Sequence, residues 1–508
     1  MPQIVSSNNK RIAKNTIILY IRTFFILIIS LFTSRIVLSA LGVEDYGTYN
    51  VVGGFVTMFS LLSASLSNAI SRYITFELGR GDSEKLSEVF SNSVNVQIIL
   101  ATIIFFIAEI VGVWFLNVKM NIPEGRMIAA NWAFQCSLLT FVINLISVPY
   151  NACIIAHEHM NAFAFVSILE SLLKLGSVVV LFIIGFDRLI VYAILLVLVA
   201  LLIRLIYGIY CSRHFEECHY KFILNKKLVK EMTSLASWNM LGSSGAVLNA
   251  HGVNLLMNMF FGVTVNAARG LAVQVNAAVT QFVSSFTVAV NPQITKSYAQ
   301  GNKEESFRLV MKSSKYSFYL MLIFAVPLIA ETPFLLKLWL NIVPDYTIVF
   351  VRLTLIISLI TTLSTSLYTL ALATGNIRNY QIIVGSLSLS CFFITYAFYK
   401  IGFPVEWAYY VSIIINIAIM FARLIILSKL TELNIAKYSR EVLVRTIIVS
   451  TVITVPIILC CNLLPEESFI HFILIVCACI IITVLTILLV GLAPSERTQL
   501  WLLIKRNH

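Results

Sequence analysis

The stretch Thr16–Ala40, TIILYIRTFFILIISLFTSRIVLSA, decides how the rest of the chain is read. It carries only two charges, Arg22 and Arg35, and no Asp, Glu or Lys. At about 1.5 Å per residue, a helix of this length exceeds the ~30 Å hydrocarbon thickness of a bilayer. The stretch follows the basic residues Lys10, Arg11 and Lys14, is too long for a signal-peptide core and precedes no small-residue cleavage site. It therefore reads as an uncleaved first membrane helix.

Comparable apolar runs recur to the end of the chain. About fourteen are expected, near 14–40, 46–72, 88–117, 127–153, 162–184, 188–212, 232–261, 267–293, 309–331, 346–374, 379–400, 406–430, 443–463 and 469–492. Pro149, Pro327 and Pro456 fall inside runs and are read as kinks, because neighbouring helices can re-satisfy the freed carbonyls. Composition agrees: 59% of the 508 residues are hydrophobic, 12% are charged and the mean hydropathy is +0.90. A soluble fold of this length could not hide so much apolar surface, so lipid is its solvent. The formal net charge of +12 would suggest nucleic acid in a soluble protein; here it follows the positive-inside rule. No nucleic-acid partner is expected.

With the N-terminus in the cytoplasm, twenty-four Lys and Arg fall in loops on that side and six on the other. The six are Lys119, Arg126, Arg188, Arg269, Lys337 and Lys400. Such a bias predicts that both termini are cytoplasmic. No loop is long enough for a soluble catalytic domain. The longest, near Arg213 to Glu231, places Tyr220, Phe222, Ile223 and Leu228 among lysines, as an amphipathic segment at the membrane surface would. The tail has the same character, with Pro494–Ser495–Glu496 starting a helix and Leu500, Trp501 and Ile504 on one face. Nine cysteines form no CxxC pair, and Cys136, Cys153, Cys391 and Cys477 lie in apolar runs as small hydrophobes. Neither a metal nor a disulfide framework is expected.

The chain also resembles itself at a constant offset of 220. Gly42–Val43 matches Gly262–Val263, Ser65 matches Ser285 and Ala69 matches Ala289. Ile74–Thr75 matches Ile294–Thr295, Gly81 matches Gly301, Glu84 matches Glu304 and Ser93 matches Ser313, all without a gap. At an offset of 218, Tyr150 meets Tyr368 and Asn161 meets Asn379. Six spans separate the copies, and an even number makes the repeats parallel. The expected plan is an N-terminal lobe (1–212), a cytoplasmic linker with an interfacial helix (213–231), a C-terminal lobe (232–430), two further helices (443–492) and a cytoplasmic tail (493–508). Transporters built from parallel repeats bind substrate between the halves and alternate access by rocking.

Charges inside the apolar runs are the candidate functional residues, since each costs at least ~2.5 kcal/mol near the bilayer centre. Arg22, Arg35, Lys174 and Arg204 lie in the first half, Arg352 and Arg423 in the second, and the acids are Glu109 and Glu170. Bland readings stand beside them. Arg352 and Arg423 sit near span ends and can snorkel, and Glu170 and Lys174, four apart, can neutralise each other. Arg22 and Arg35 share a helix with no acid of its own. The deep charge is thus mainly positive, which suits an anion, and Arg matches phosphate oxygens bidentately. Glu109, Glu170 and His251 are candidates for Na⁺ or H⁺ coupling, although a lone histidine on an apolar face is more often a packed polar residue. No other cofactor is expected.

The arrangement of six, six and two spans, with Ser34–Arg35 followed by Leu41–Gly42–Val43–Glu44–Asp45–Tyr46–Gly47–Thr48–Tyr49, resembles the Wzx-type polysaccharide flippases of the MOP (MATE-like) exporter superfamily. The resemblance implies an all-α polytopic fold with two parallel six-helix lobes in a V and a cationic central cavity. It implies movement of an undecaprenyl-diphosphate-linked repeat unit of O-antigen, capsule or a related glycan across a bacterial inner membrane. Its partners would be that lipid-linked oligosaccharide, the bilayer and other glycan-assembly membrane proteins. Of the candidate cations, the motif itself covers only Arg35. MATE-type drug exporters share the fold but move cations with acidic residues, which the first run lacks. A membrane-embedded glycan polymerase or ligase would carry a long outer loop, and a lipid-II flippase is a close cousin.

Overall fold

The computed structural model describes residues 2–59, 70, 73–74, 77–78, 82–157, 159–223, 225–226, 229–230, 245, 247–340, 342–374, 378–463, 469–494 and 496–498. Among them every regular element is helical. Ten helices there are long and apolar enough to cross a membrane, so the chain is a multi-pass membrane protein. Parts of the expected spans near 46–72 and 232–261 lie outside the described residues, as do Ser65, Ala69, Gly81, Leu500, Trp501 and Ile504.

The first helix, α1 (Pro2–Thr57), contains the opening stretch and continues past a break at Gly42, where φ is 78° and ψ 175°. A Cβ strains that conformation, and glycine relieves it. The same break recurs at the repeat position, Gly262 (φ 85°, ψ −175°), between α6 (Val253–Phe261) and α7 (Val263–Ala299). A second correspondence lies at the next helix start. Asp82 caps α2 (Ser83–Ile107) by accepting from the Lys85 N–H, and Asn302 caps α8 (Lys303–Ala330) by accepting from the Glu305 N–H. The repeat seen in sequence is therefore repeated in backbone.

The chain divides into two compact units, 1–267 and 268–508. In the first, α3 (Met127–Ala156) packs along α5 (Arg188–His214), α1 along α4 (Met160–Val180), and α2 along α3. Small residues make the close approach possible: Ala129, Ala130 and Ala133 lie against Val51, Val52 and Val56, with fully buried Phe134 and Leu138. Large apolar side chains such as Phe106, Ile110, Ile183 and Phe186 are mostly exposed, as lipid-facing residues are. In lipid, burial brings no hydrophobic gain, so close van der Waals fit holds these helices together.

In the second unit, α10 (Thr347–Ala373), which follows the short α9 (Thr332–Trp339), packs between α8 and α12 (Trp407–Thr431), as α3 does between α2 and α5, and α11 (Arg378–Ile401) packs on α12 as α4 does on α5. Two helices outside the repeat, α13 (Arg445–Leu463) and α14 (Phe469–Thr486), pack on each other and on α8.

After α5, residues 219–223 form no regular element and lie along α2, while Leu228 of the expected amphipathic segment lies outside the described residues. Tyr220 donates its hydroxyl to Asn95 Oδ1 (2.7 Å), Asn95 donates to the Ile223 carbonyl (2.8 Å), the Lys221 N–H reaches Ser91 Oγ (3.2 Å) and the Asn225 N–H reaches Asn92 Oδ1 (2.8 Å). A polar run inside α2 recruits the linker because buried donors and acceptors need partners.

Candidate anion-binding site

Antiparallel succession places the 157–159 and 214–225 connections of the first unit at one end, here the linker end, and the 118–127 and 181–188 connections at the opposite end. Arg22 lies on α1 with its guanidinium carbon 4.5 Å from the centre of the Phe163 ring on α4. It is half-buried, and its Nε has no hydrogen-bond partner. Glu170, two helical turns beyond Phe163, and Tyr207 of α5 act on its charge. Glu170 is itself paired, accepting from Lys174 Nζ at 2.6 Å one turn away. Arg22, Lys174 and Glu170 thus form one patch with a net positive charge.

Arg204 is on α5, where its guanidinium carbon stacks 3.9 Å from the centre of the Tyr150 ring on α3. Gly208 makes room for it: a Cβ there would come within 2.9 Å of an Arg204 nitrogen. Arg35 is half-buried on α1, but thirteen residues put on the order of 20 Å between it and Arg22 along the helix axis. The four expected cations are therefore not one cluster.

Of the coupling candidates, Glu109 and His251 stand apart from that patch. Glu109, in a widened turn (Ala108–Gly112) that continues α2, accepts from Gln135 Nε2 at 3.1 Å, and its other oxygen is buried without a partner. His251 Nδ1 lies 3.1 Å from Thr57 Oγ1.

In the second unit, Arg423 and Arg352 both donate to backbone carbonyls. Arg423 donates to the Ser364 carbonyl (2.9 Å) and hydroxyl (3.0 Å), and Arg352 donates to the Ile329 carbonyl (3.0 Å). Arg423 on α12 falls within one position of the repeat equivalent of Arg204 on α5, so each half sets an arginine of one helix against its neighbour. Arg204 faces an aromatic ring, whereas Arg423 is occupied by backbone and hydroxyl.

A cluster that sequence reasoning missed lies at the end of the first unit opposite the linker. Arg126 Nε and one NH₂ donate to the two oxygens of Asp45 at 2.6 Å each, and its terminal nitrogens reach Asp187 at 2.5 and 3.0 Å. Hydrogen bonding to Asp187, then to Asp45, holds the guanidinium above its ordinary pKa despite burial. The same bond from Arg126 holds Asp187 below the usual carboxylate range. Asp187 also caps α5 through the Leu189 and Ile190 N–H groups. The available signal was Asp45 itself, inside the motif that carried the family resemblance, directly after the Gly42 break.

Residues 12–298, more than half the chain, match the family described as "Polysaccharide biosynthesis protein". The chain belongs to that family. One curated relative, the uncharacterized membrane protein EpsK of Bacillus subtilis strain 168, is 19% identical over 155 residues, a match covering 30% of each chain. Among solved structures, an inward-facing multidrug resistance MATE family transporter of the MOP superfamily superposes with a TM-score of 0.68 at 14% identity, covering 81% of this chain and 96% of that one. The lipid II flippase MurJ in an inward closed conformation gives 0.66 at 14% identity, covering 92% and 98%. A MOP superfamily transporter from Pyrococcus furiosus with a binding pocket of reverse polarity gives 0.60 at 15% identity, covering 82% and 96%. The fold is thus the polytopic MOP fold.

Proposed function

We propose that this member of the polysaccharide biosynthesis family is a flippase that moves an undecaprenyl-diphosphate-linked oligosaccharide from the cytoplasmic to the periplasmic leaflet of a bacterial inner membrane, by alternating access and with both termini cytoplasmic. The observation that carries the reading is Arg22. A half-buried guanidinium stacked on Phe163, with a buried Nε lacking a partner, is prepared for an anion with several oxygens. Lys174, Arg204 and Arg35 add positive charge to the same unit, and Glu170 is the carboxylate that acts on Arg22. The repeat unit, whether O-antigen, capsule or a related glycan, follows from the pathway that supplies it.

The cation-exporter reading shares the fold, and Glu109, with one buried unpaired oxygen, is its best residue. A polymerase or ligase leaves the two-fold repeat unexplained. One experiment separates the three. Deleting the gene and analysing lipid-linked sugars should show a complete repeat unit accumulating on the cytoplasmic side. Arg22→Ala and Arg35→Ala should each abolish surface glycan with normal membrane levels, and Arg22→Lys should restore only part of it. Normal glycan in both Ala variants rejects the site. Accumulation of unpolymerised units on the periplasmic side instead supports the enzyme.

A further inference from the structure

Cys153 ends α3, Cys211 lies near the end of α5, and Glu217 and Cys218 belong to the short helical turn that follows (Glu216–Cys218). No spacing in the sequence joins them, yet the fold does. The Cys153 and Cys218 sulfurs and a Glu217 carboxylate oxygen all lie within 4.8 Å of one another. The Cys211 thiol lies beside them and donates to the Tyr150 carbonyl at 3.5 Å. All four residues are buried: Cys153 and Cys211 are 0% exposed, Cys218 4% and Glu217 7%.

Buried thiols alone are ordinary core residues. A buried carboxylate among them is not, because a charge removed from water needs a cation or a set of donors. The Glu217 carboxylate has His157, whose Nε2 lies 2.5 Å from Oε1, while its other side faces the sulfurs. Elsewhere the buried thiols have apolar or hydroxyl neighbours, as Cys391 has Ser412. Among the described residues this is the one place where three such donors converge.

We propose that Cys153, Cys218 and Glu217 bind one zinc ion, with a water in the fourth position and His157 orienting the carboxylate from behind. Soft sulfur donors with one carboxylate suit a tetrahedral zinc site, and a ligating carboxylate is typically held by such a partner. Two S–H bonds break as two S–Zn bonds form, and the two protons leave to solvent. Two thiolates, a carboxylate and Zn²⁺ sum to −1, and Arg204, whose charge acts on the neighbouring Cys211, compensates it. The ion would staple the end of α3 to the turn that follows α5. This assignment does not depend on what the protein transports.

The test uses the untagged full-length chain in detergent, stripped with chelator and titrated with Co²⁺. One equivalent should produce a thiolate-to-cobalt charge-transfer band and the visible bands of a tetrahedral site, and Zn²⁺ should displace both. Cys153→Ser/Cys218→Ser should abolish the bands, Glu217→Gln should weaken binding at least tenfold, and Cys391→Ser should change nothing. Because Ser variants can misfold, the unaltered chain is also read alone: Zn²⁺ should protect two thiols from alkylation and raise Tm. No charge-transfer band in the unaltered chain, or a band that survives Cys153→Ser/Cys218→Ser, overturns the assignment.

Discussion

At the scale of residues, the first unit handles its guanidinium groups in three ways. Arg126 is spent on two carboxylates, Arg204 on a tyrosine ring, and Arg22 on a phenylalanine ring that leaves donors unused. An aromatic face contributes about 0.5–2 kcal/mol and accepts no hydrogen bond through the guanidinium edge, so Arg22 and Arg204 keep their forks for another partner. Arg126 is different, because Asp45 and Asp187 are 14% and 30% exposed and are joined only through it. Removing one partner of a buried pair costs ~3–5 kcal/mol, and partial exposure lowers that to about 2–3 here. Arg126→Met should therefore lower Tm clearly, with Asp45→Asn/Asp187→Asn in the same background recovering part of the loss. The sign with pH follows from Asp187. Its folded pKa is depressed, so the stability it contributes is present above the ordinary carboxylate range and is lost as pH falls through the lowered value. A Tm–pH profile of Arg126→Met that parallels the unaltered protein at low pH would reject this account. The sequence showed Arg126 only as a loop charge and Asp45 only within the motif, because the partners lie 61 and 81 residues from Arg126.

At the scale of elements, the opening stretch was legible because a 25-residue apolar run has one structural solution in lipid. The break after it was legible through the Gly42 and Gly262 match, and both glycines take the positive φ that explains their identity. Gly47 has another reason. A Cβ there would stand 2.0 Å from the Val263 carbonyl oxygen, backbone that cannot swing aside. Gly47→Ala should cost about 3 kcal/mol or more and reduce membrane yield, since overpacking costs ~1–3 kcal/mol even against movable side chains. Gly53→Ala, on the same helix with nothing within 4 Å, should be neutral or slightly stabilising. Equal yields for the two variants would reject the close approach. The contacts of residues 220–225 were not legible in the sequence, because Ser91, Asn92 and Asn95 of α2, which hydrogen-bond them, lie more than a hundred residues away. The repeat position of Asn95 is Lys315 on α8, whose Nζ donates to both Glu496 oxygens at 2.7 and 2.6 Å. Both partners are little exposed, and the Ala493 N–H also donates to Glu496. Burial raises the Glu496 pKa, but Lys315 and Ala493 outweigh it and hold the carboxyl below its usual range. Lys315→Met should cost about 3–5 kcal/mol and Lys315→Met/Glu496→Leu much less. The pair's contribution should disappear as pH falls through the lowered Glu496 value, giving a steeper acid loss of Tm in the unaltered chain than in the double variant.

At the scale of the whole molecule, the parallel repeat and the loop charges make a joint claim about sidedness. Corresponding helices pack in the same order in each unit: α2, α3 and α5 in one, α8, α10 and α12 in the other. The caps at Asp82 and Asn302 are separated by the repeat offset and begin corresponding helices. Six intervening spans return the chain to the side it left, so these caps should share one side, and an odd number would place them on opposite sides. The excess of Lys and Arg predicts that this side is the cytoplasm. Single cysteines make this measurable in a background lacking the exposed native Cys477. In intact cells, Asp82→Cys and Asn302→Cys should resist a membrane-impermeant maleimide and react once the membrane is permeabilised. Gly125→Cys and Gly402→Cys, in connections of opposite parity, should react without permeabilisation. Labelling of Asp82→Cys but not Asn302→Cys would make the repeat inverted. Labelling of both, with Gly125→Cys and Gly402→Cys protected, would keep the repeat parallel but reverse the chain in the membrane. That second result would also reverse the direction of the proposed flipping, because substrate made in the cytoplasm would meet the opposite end of the bundle.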